Sequence, residues 1–304
     1  MGGGSVVRQR KRRFMQGDSE SSGRKRECAE ARRLTITFGE YEVHETVDEK
    51  YELLKKGCAI GTFSEAQIKE GRILFPLSCG MLLEVSESGV REILTPEKAT
   101  LIGMIASDGS NILYRSPRPR GRGYRTHYRT TFFSKDKELI NIYDRLFEEI
   151  YRKAPRHYAR KRNGLVFSWI SSKGIFYDLY DLGIKLGAYE FHVPREHLDD
   201  DGKRAFLRGF FSGDGDISIG DSITFRFSST SKSGMEGLHQ ILEDLGFHPY
   251  EILERERPKF RTSYIFSIPK KEHMKFIDEI GSYKPRHVHI FEEMKKGTEG
   301  CEEH

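Results

Sequence analysis

The chain has 304 residues, enough for one large core or two smaller ones, and its balance of 32% charged to 37% hydrophobic residues fits a water-soluble fold with polar extensions. No apolar run is long enough to span a membrane, and the charged start excludes a secretory signal. Gly2 opens a myristoylation pattern that Val6 breaks, so the expected setting is intracellular, with cytoplasm, organelle and nucleus all open.

Residues 1–32 are rich in Gly, Ser, Arg and Lys, including "RQRKRR" at 8–13, and read as a disordered basic leader that could bind nucleic acid or direct nuclear import. Residues 33–96 read as a small accessory region. There "LTITF" (34–38) alternates like a strand. "VDEKYELLKKG" (47–57) reads as a short helix stopped by Gly57, and "TFSEAQIKEG" (62–71) as a second helix capped by Ser64. Two such helices would form a helical hairpin or a helix-turn-helix. The four cysteines, Cys28, Cys58, Cys79 and Cys301, lack CxxC spacing and read as free thiols rather than a zinc site.

From about residue 97 the chain repeats. "TPEKATLIGMIASDG" (95–109) starts a helix at Thr95, Pro96 and Glu97. Strands at 111–116 and 126–134, a helix at 135–152, a strand at 164–171 and a helix at 173–187 follow. The second copy opens with "DDGKRAFLRGFFSGDG" (200–215). It continues with strands at 216–219 and 222–228, a helix at 232–246, strands at 250–256 and 263–268, and a helix at 270–281. Both copies read α-β-β-α-β-β-α, with divisions at 97–192 and 193–288 and a tail at 289–304. They also end alike, in "GAYEFH" (187–192) and "GSYKPRH" (281–287), where Glu190 stands in the place of Lys284.

Basic charge clusters along this repeat. "RSPRPRGRGYRTHYR" (115–129) holds Arg115, Arg118, Arg120, Arg122, Arg125 and Arg129 and no acid. Arg156, Arg160, Lys161 and Arg162 mark the first copy's other hairpin; Arg226, Arg255, Arg257, Lys259 and Arg261 lie in the second copy. One-signed local charge of this kind predicts a polyanion as partner.

The acids are fewer and oddly placed. Asp108 and Asp214 each close an apolar helix, where a carboxylate meets the helix's own negative end. Gly103 and Ser107 are four apart, as are Gly209 and Gly213, so each helix shows a small-residue face on which two backbones can approach. Side-by-side parallel packing would bring Asp108 and Asp214 together. Their repulsion would be offset by divalent cations, and paired carboxylates suit Mg²⁺. Ser134–Asp136 and Ser229–Ser231, between second strand and helix, read as helix caps, with an approach to the same centre as the sharper alternative.

"LIGMIASDG" and "LRGFFSGDG" resemble the twin signature helices of the LAGLIDADG homing endonucleases in their single-chain form. The resemblance covers about 97–288, departing from the motif at Ala106 and Ser212, where acids often stand. It implies an α+β fold of two pseudo-symmetric αββαββα subdomains forming a β-saddle over the major groove of double-stranded DNA with a long, specific site. It further implies that Asp108 and Asp214 bind Mg²⁺ or Mn²⁺, with the backbone carbonyls of Ser107 and Gly213 assisting. Lys284 would be the basic residue that stabilises charge or positions water near one active site, with Glu190, and His192 nearby, a departure in the other. The listed arginines and lysines would then contact DNA in a monomeric, metal-dependent endonuclease. Met-Gly at one end and Glu-Glu-His at the other lack an intein's splicing residues, which favours a free-standing, intron-encoded protein. Two other functions fit a basic saddle: an RNA-binding intron maturase, and a DNA-binding regulator without cleavage.

Overall fold

The computed structural model describes residues 35–299 except 47, 49, 70, 119–122, 187–188, 221, 257 and 259. The basic leader therefore lies outside the described residues. The chain divides into two units, at Ile93/Leu94.

The first unit is built of β-strands, which corrects the helical reading of 47–57 and 62–71. One antiparallel sheet runs β1 (Thr35–Phe38), β2 (Tyr41–Glu45), β3 (Tyr51–Lys55) and β4 (Cys58–Phe63) in sequence order. The other runs β5 (Gln67–Lys69), β6 (Arg72–Pro76), β7 (Met81–Ser86) and β8 (Gly89–Leu94). Ile36, Phe38, Val43, Leu53, Ile73, Phe75 and Val85 form one core between them. Gly57, taken as a helix stop, has φ +78° and with Lys56 (φ 51°) makes the two-residue turn joining the Lys55–Cys58 pair. A helix terminus and a type I′ hairpin both demand positive φ, so glycine marks either one. The misread "YELLK" holds a register shift at Leu53/Leu54, and both leucines are buried, which breaks the alternation a strand normally displays. The described residues of this region form no helix-turn-helix. Cys58 and Cys79 are exposed, and neither forms a disulfide among the described residues.

The second unit is the α+β repeat. Its first half comprises α1 (Pro96–Asp108), β9 (Gly109–Pro117), β10 (Tyr124–Ser134), α2 (Lys137–Tyr151), β11 (Arg156–Ala159), β12 (Val166–Ile170) and α3 (Lys173–Asp181). Its second half comprises α4 (Asp200–Gly213), β13 (Asp216–Ile219), β14 (Ile223–Ser229), α5 (Lys232–Asp244), β15 (Leu253–Arg255), β16 (Ser263–Ile268) and α6 (His273–Glu279). The sheets run β9-β10-β12-β11 and β13-β14-β16-β15, the same topology twice. Thr95 caps α1 by accepting from the Lys98 amide at 3.2 Å, and Asp199 caps α4 from Gly202 at 2.8 Å. The halves also share a brace. Buried Lys98 on α1 pairs with Asp178 on α3 at 2.6 Å, and Arg204 on α4 pairs with Glu279 on α6 at 3.3 Å.

Part of the stretch set apart as a tail belongs to α7 (Pro285–Glu299). Phe291 on α7 is buried against Phe225, ring centroids 5.5 Å apart, and Ile290 is buried beside it. Phe206, Phe210, Phe211, Phe225, Phe227 and Phe276 fill the second half's core. No described helix is long and apolar enough to cross a membrane.

Candidate metal centre and nucleic-acid interface

The centre is built where α1 and α4 abut. Gly103 faces the backbone of α4: a Cβ there would run into the Phe206 carbonyl oxygen and sit 3.0 Å from the Phe210 nitrogen. Gly209 faces α1 in the reciprocal way, against the Thr100 carbonyl and 3.1 Å from the Met104 nitrogen. Further along, a Cβ on Gly213 would strike the Ser107 hydroxyl and come 3.1 Å from Asp108 Oδ2. The contacts advance in step along both helices, so the helices run parallel and their C-termini meet. All four small residues expected at the contact lie in it.

Asp108 ends α1, and Asp214 follows α4 with its amide donating to Phe210 O at 3.1 Å. Each is half-buried. Burial pushes the Asp108 carboxyl above its usual range, with Lys284 opposing and Asp136 adding to the rise. Burial pushes Asp214 well above it, and the charge of Asp108 adds further. Two carboxylates forced up by desolvation and mutual repulsion, at two negative helix ends, call for a cation. They fit a hard divalent ion that keeps water or phosphate oxygens as its other ligands. Among the described residues no group of three or more His, Cys, Asp or Glu forms a closed metal cage. Metal uptake must displace protons from these acids, so affinity for Mn²⁺ should strengthen as pH rises above the ordinary carboxylate range. A calorimetric titration giving an affinity independent of pH there would contradict the raised pKa values.

Lys284 lies beside both acids, since its charge opposes the rise in each, and its Nζ donates to Gly213 O at 3.3 Å. That carbonyl, one of the two expected to assist a metal, is thus engaged by an ammonium. Ser107 Oγ donates to Met104 O at 2.9 Å. Glu190, the first copy's counterpart of Lys284, is exposed.

Residues beside the acid pair hold Lys284 in place. Ser212 is buried, and its hydroxyl accepts from the Tyr283 amide at 2.7 Å while donating to Arg208 O at 2.7 Å. Arg208 donates through Nε to Ile280 O, and the Ser282 hydroxyl meets His287 Nδ1 at 3.1 Å. Burial and the adjacent Lys284 hold the His287 pKa down to about 4, so the ring is neutral near pH 7. The first copy has Ala106 and Ile102 where Ser212 and Arg208 stand, both buried and unable to tie down such a loop. That difference was visible in the sequence as a polar Arg and Ser inside an apolar motif. Ser231 is an ordinary cap, accepting from Gly234 N at 3.1 Å. Asp136 makes no side-chain cap bond, and its charge reaches Asp108.

The basic residues divide by strand face. The pairs Ile112–Arg129 and Ser116–Arg125 put Arg125 and Arg129 on the sheet face away from α3, and Arg156, opposite Trp169, shares it. Arg160 lies 4.9 Å over the Phe167 ring. Arg115 lies on the other face, and with Arg118, Lys161 and Arg162 it is exposed. In the second copy Arg226 is paired to Asp216 across β13–β14, Arg255 is exposed on β15, and Arg261 stacks 4.0 Å over Tyr189. Arg120, Arg122, Arg257 and Lys259 lie outside the described residues.

The solved structures similar to the chain include the homing endonuclease I-DmoI in complex with DNA and Ca, at 20% identity over 64% of this chain and 96% of that one, TM-score 0.47. The I-LtrWI LAGLIDADG homing endonuclease bound to target DNA is similar at 12% identity, covering 66% and 91%, TM-score 0.46. I-SmaMI bound to uncleaved DNA target with calcium ions is similar at 11% identity, covering 67% and 93%, TM-score 0.44. No curated protein matches the chain. Residues 201–281, from the first turn of α4 to just past α6, match the family model described as LAGLIDADG-like domain.

Proposed function

We propose that the protein is a site-specific double-strand DNA endonuclease that hydrolyses phosphodiester bonds at the junction of α1 and α4. Its chief support is the meeting of Asp108 and Asp214 in a charge environment that disfavours two anions and has no structural use of its own. Mg²⁺ or Mn²⁺ held there by the two carboxylates would lower the pKa of a water and stabilise the leaving oxygen. The chain's own residues do the rest. Arg125, Arg129 and Arg156 on the first sheet and Arg255 on the second bind and orient the duplex. Lys284, fixed through Ser212 and Arg208, offsets negative charge at the reacting phosphate. Incubation with a random plasmid library and Mg²⁺, followed by sequencing of cut ends, should return one long recurring site. Random ends, or RNA binding without any DNA cutting, would sink this reading.

Affinity for that site should fall about 10³–10⁵-fold between 50 and 200 mM salt, because six to ten phosphate contacts release counterions. A flat salt response in fluorescence anisotropy would exclude DNA as the partner.

The two strands should be cut at unequal rates. Lys284 has no basic counterpart in the first copy, where Glu190 stands exposed. Nicked plasmid should therefore accumulate in a time course, and Lys284→Met should slow one strand more than the other. Equal strand rates in the wild-type protein would refute this asymmetry.

A further inference from the structure

The open face of the first sheet contains a pocket of about 430 Å³ that phosphate binding does not explain. Strand register puts Ile112 opposite Arg129 and Phe133 opposite Phe167, with Trp169 beside them. Phe133 and Phe167 meet edge to face at 5.1 Å. The Arg129 guanidinium lies 4.6 Å over the Trp169 ring and 5.6 Å over Tyr114, and its Nε is buried with no hydrogen-bond partner among the described residues. The described residues of the second sheet are more polar at these places: its register puts Ser218, Thr224, Ser228 and Ser267 where Ile112, Arg129, Phe133 and Trp169 stand in the first, and keeps only aliphatic Ile265 and Leu253 in the places of Phe167 and Tyr158.

An apolar recess rimmed by one stacked arginine suits one feature of the major groove. The thymine methyl is the apolar group on the base edges there, and arginine pairs best with guanine O6 and N7. Cation–π contacts with both rings restrict the Arg129 side chain before binding, so less side-chain freedom remains to be lost. A buried N–H without a partner gains most from a new acceptor. We propose that this pocket reads a thymine next to a guanine: the methyl enters between Ile112, Phe133, Phe167 and Trp169, and Arg129 donates to the neighbouring guanine. The proposal rests on the DNA-binding reading above and adds a base step to it. It also makes the two halves of the target chemically unlike, since the second sheet offers hydroxyls in place of the recess.

The test uses the full chain and the duplex it selects from a random pool in Ca²⁺. Each thymine of that duplex is replaced singly by deoxyuridine, which removes the methyl and keeps every hydrogen-bonding group. One thymine adjoining a guanine should lose about fourfold in affinity, the weight of one buried methyl, and 7-deazaguanine at its neighbour should lose about tenfold or more. Trp169→Ala should bind thymine and uracil duplexes equally. The pocket is refuted if every deoxyuridine duplex binds like its parent, or if the discrimination survives Trp169→Ala. The wild-type comparison decides the matter even where the tryptophan variant is less stable. Selection of no duplex at all would instead overturn the DNA-binding reading on which the pocket depends.

Discussion

Asp108→Asn and Asp214→Asn should each reduce cleavage by about 10³-fold or more while leaving affinity for the target in Ca²⁺ within about threefold. In the proposed mechanism each carboxylate would ligate the reaction's cation, and neither is among the residues proposed to meet the duplex over its length. A second consequence has the opposite sign. Both carboxyls have folded pKa values raised above the ordinary 3.8. Such an acid binds its proton more tightly in the fold than in the unfolded chain, so it withdraws stability as pH rises from the unfolded value through the folded one. At pH 7 without metal, both acids therefore oppose folding, and the Asn variants should melt at a higher temperature in EDTA than the parent. Cleavage at wild-type rates by either variant would remove the centre from the chemistry. A lower melting temperature in EDTA would show that the acids are structural.

Gly103→Ala or Gly209→Ala should destabilise the chain by about 2 kcal/mol and abolish activity with it. Alanine is favoured over glycine in a helix by about 1 kcal/mol, so propensity alone gives the contrary sign. Here the new methyl would overlap the Phe206 or Thr100 carbonyl oxygen. Backbone cannot swing aside as a flexible side chain can, so α1 and α4 must part, at a cost of about 3 kcal/mol for overpacking. Parting the helices also separates Asp108 from Asp214. Urea unfolding of the full chain reads the difference. Unchanged or greater stability would mean that the two helices are not in backbone contact.

The repeat was legible because its information is local. Thr95-Pro96 is a start signal for α1, and the glycine spacing in both copies announces a helix pair rather than a single helix. The pairing of the acids at 108 and 214 follows from the same register, whereas Lys284 is implied by the family resemblance and only located by the likeness of the two subdomain endings. The first unit was illegible for a physical reason. Its strands are short, Leu53 and Leu54 face burial together at a register shift, and Gly57 signals positive φ without saying whether a helix or a hairpin needs it. The supports of Lys284 were hidden differently. Arg208 and Ser212 act on the segment from Ile280 to Tyr283, some 70 residues away, and only folding reveals what they hold. The face on which each arginine lies depends on strand register, which also separates Arg129 in its aromatic clamp from Arg226 paired to Asp216.

The most direct measurement is anomalous scattering at the manganese edge from crystals of the protein bound to its selected duplex. Density within ligand distance of both Asp108 and Asp214, adjoining a backbone phosphate, is the expected result. Manganese bound elsewhere, or the two carboxylates turned away from each other and from the DNA, would contradict the assignment of this helix junction as the cleavage centre.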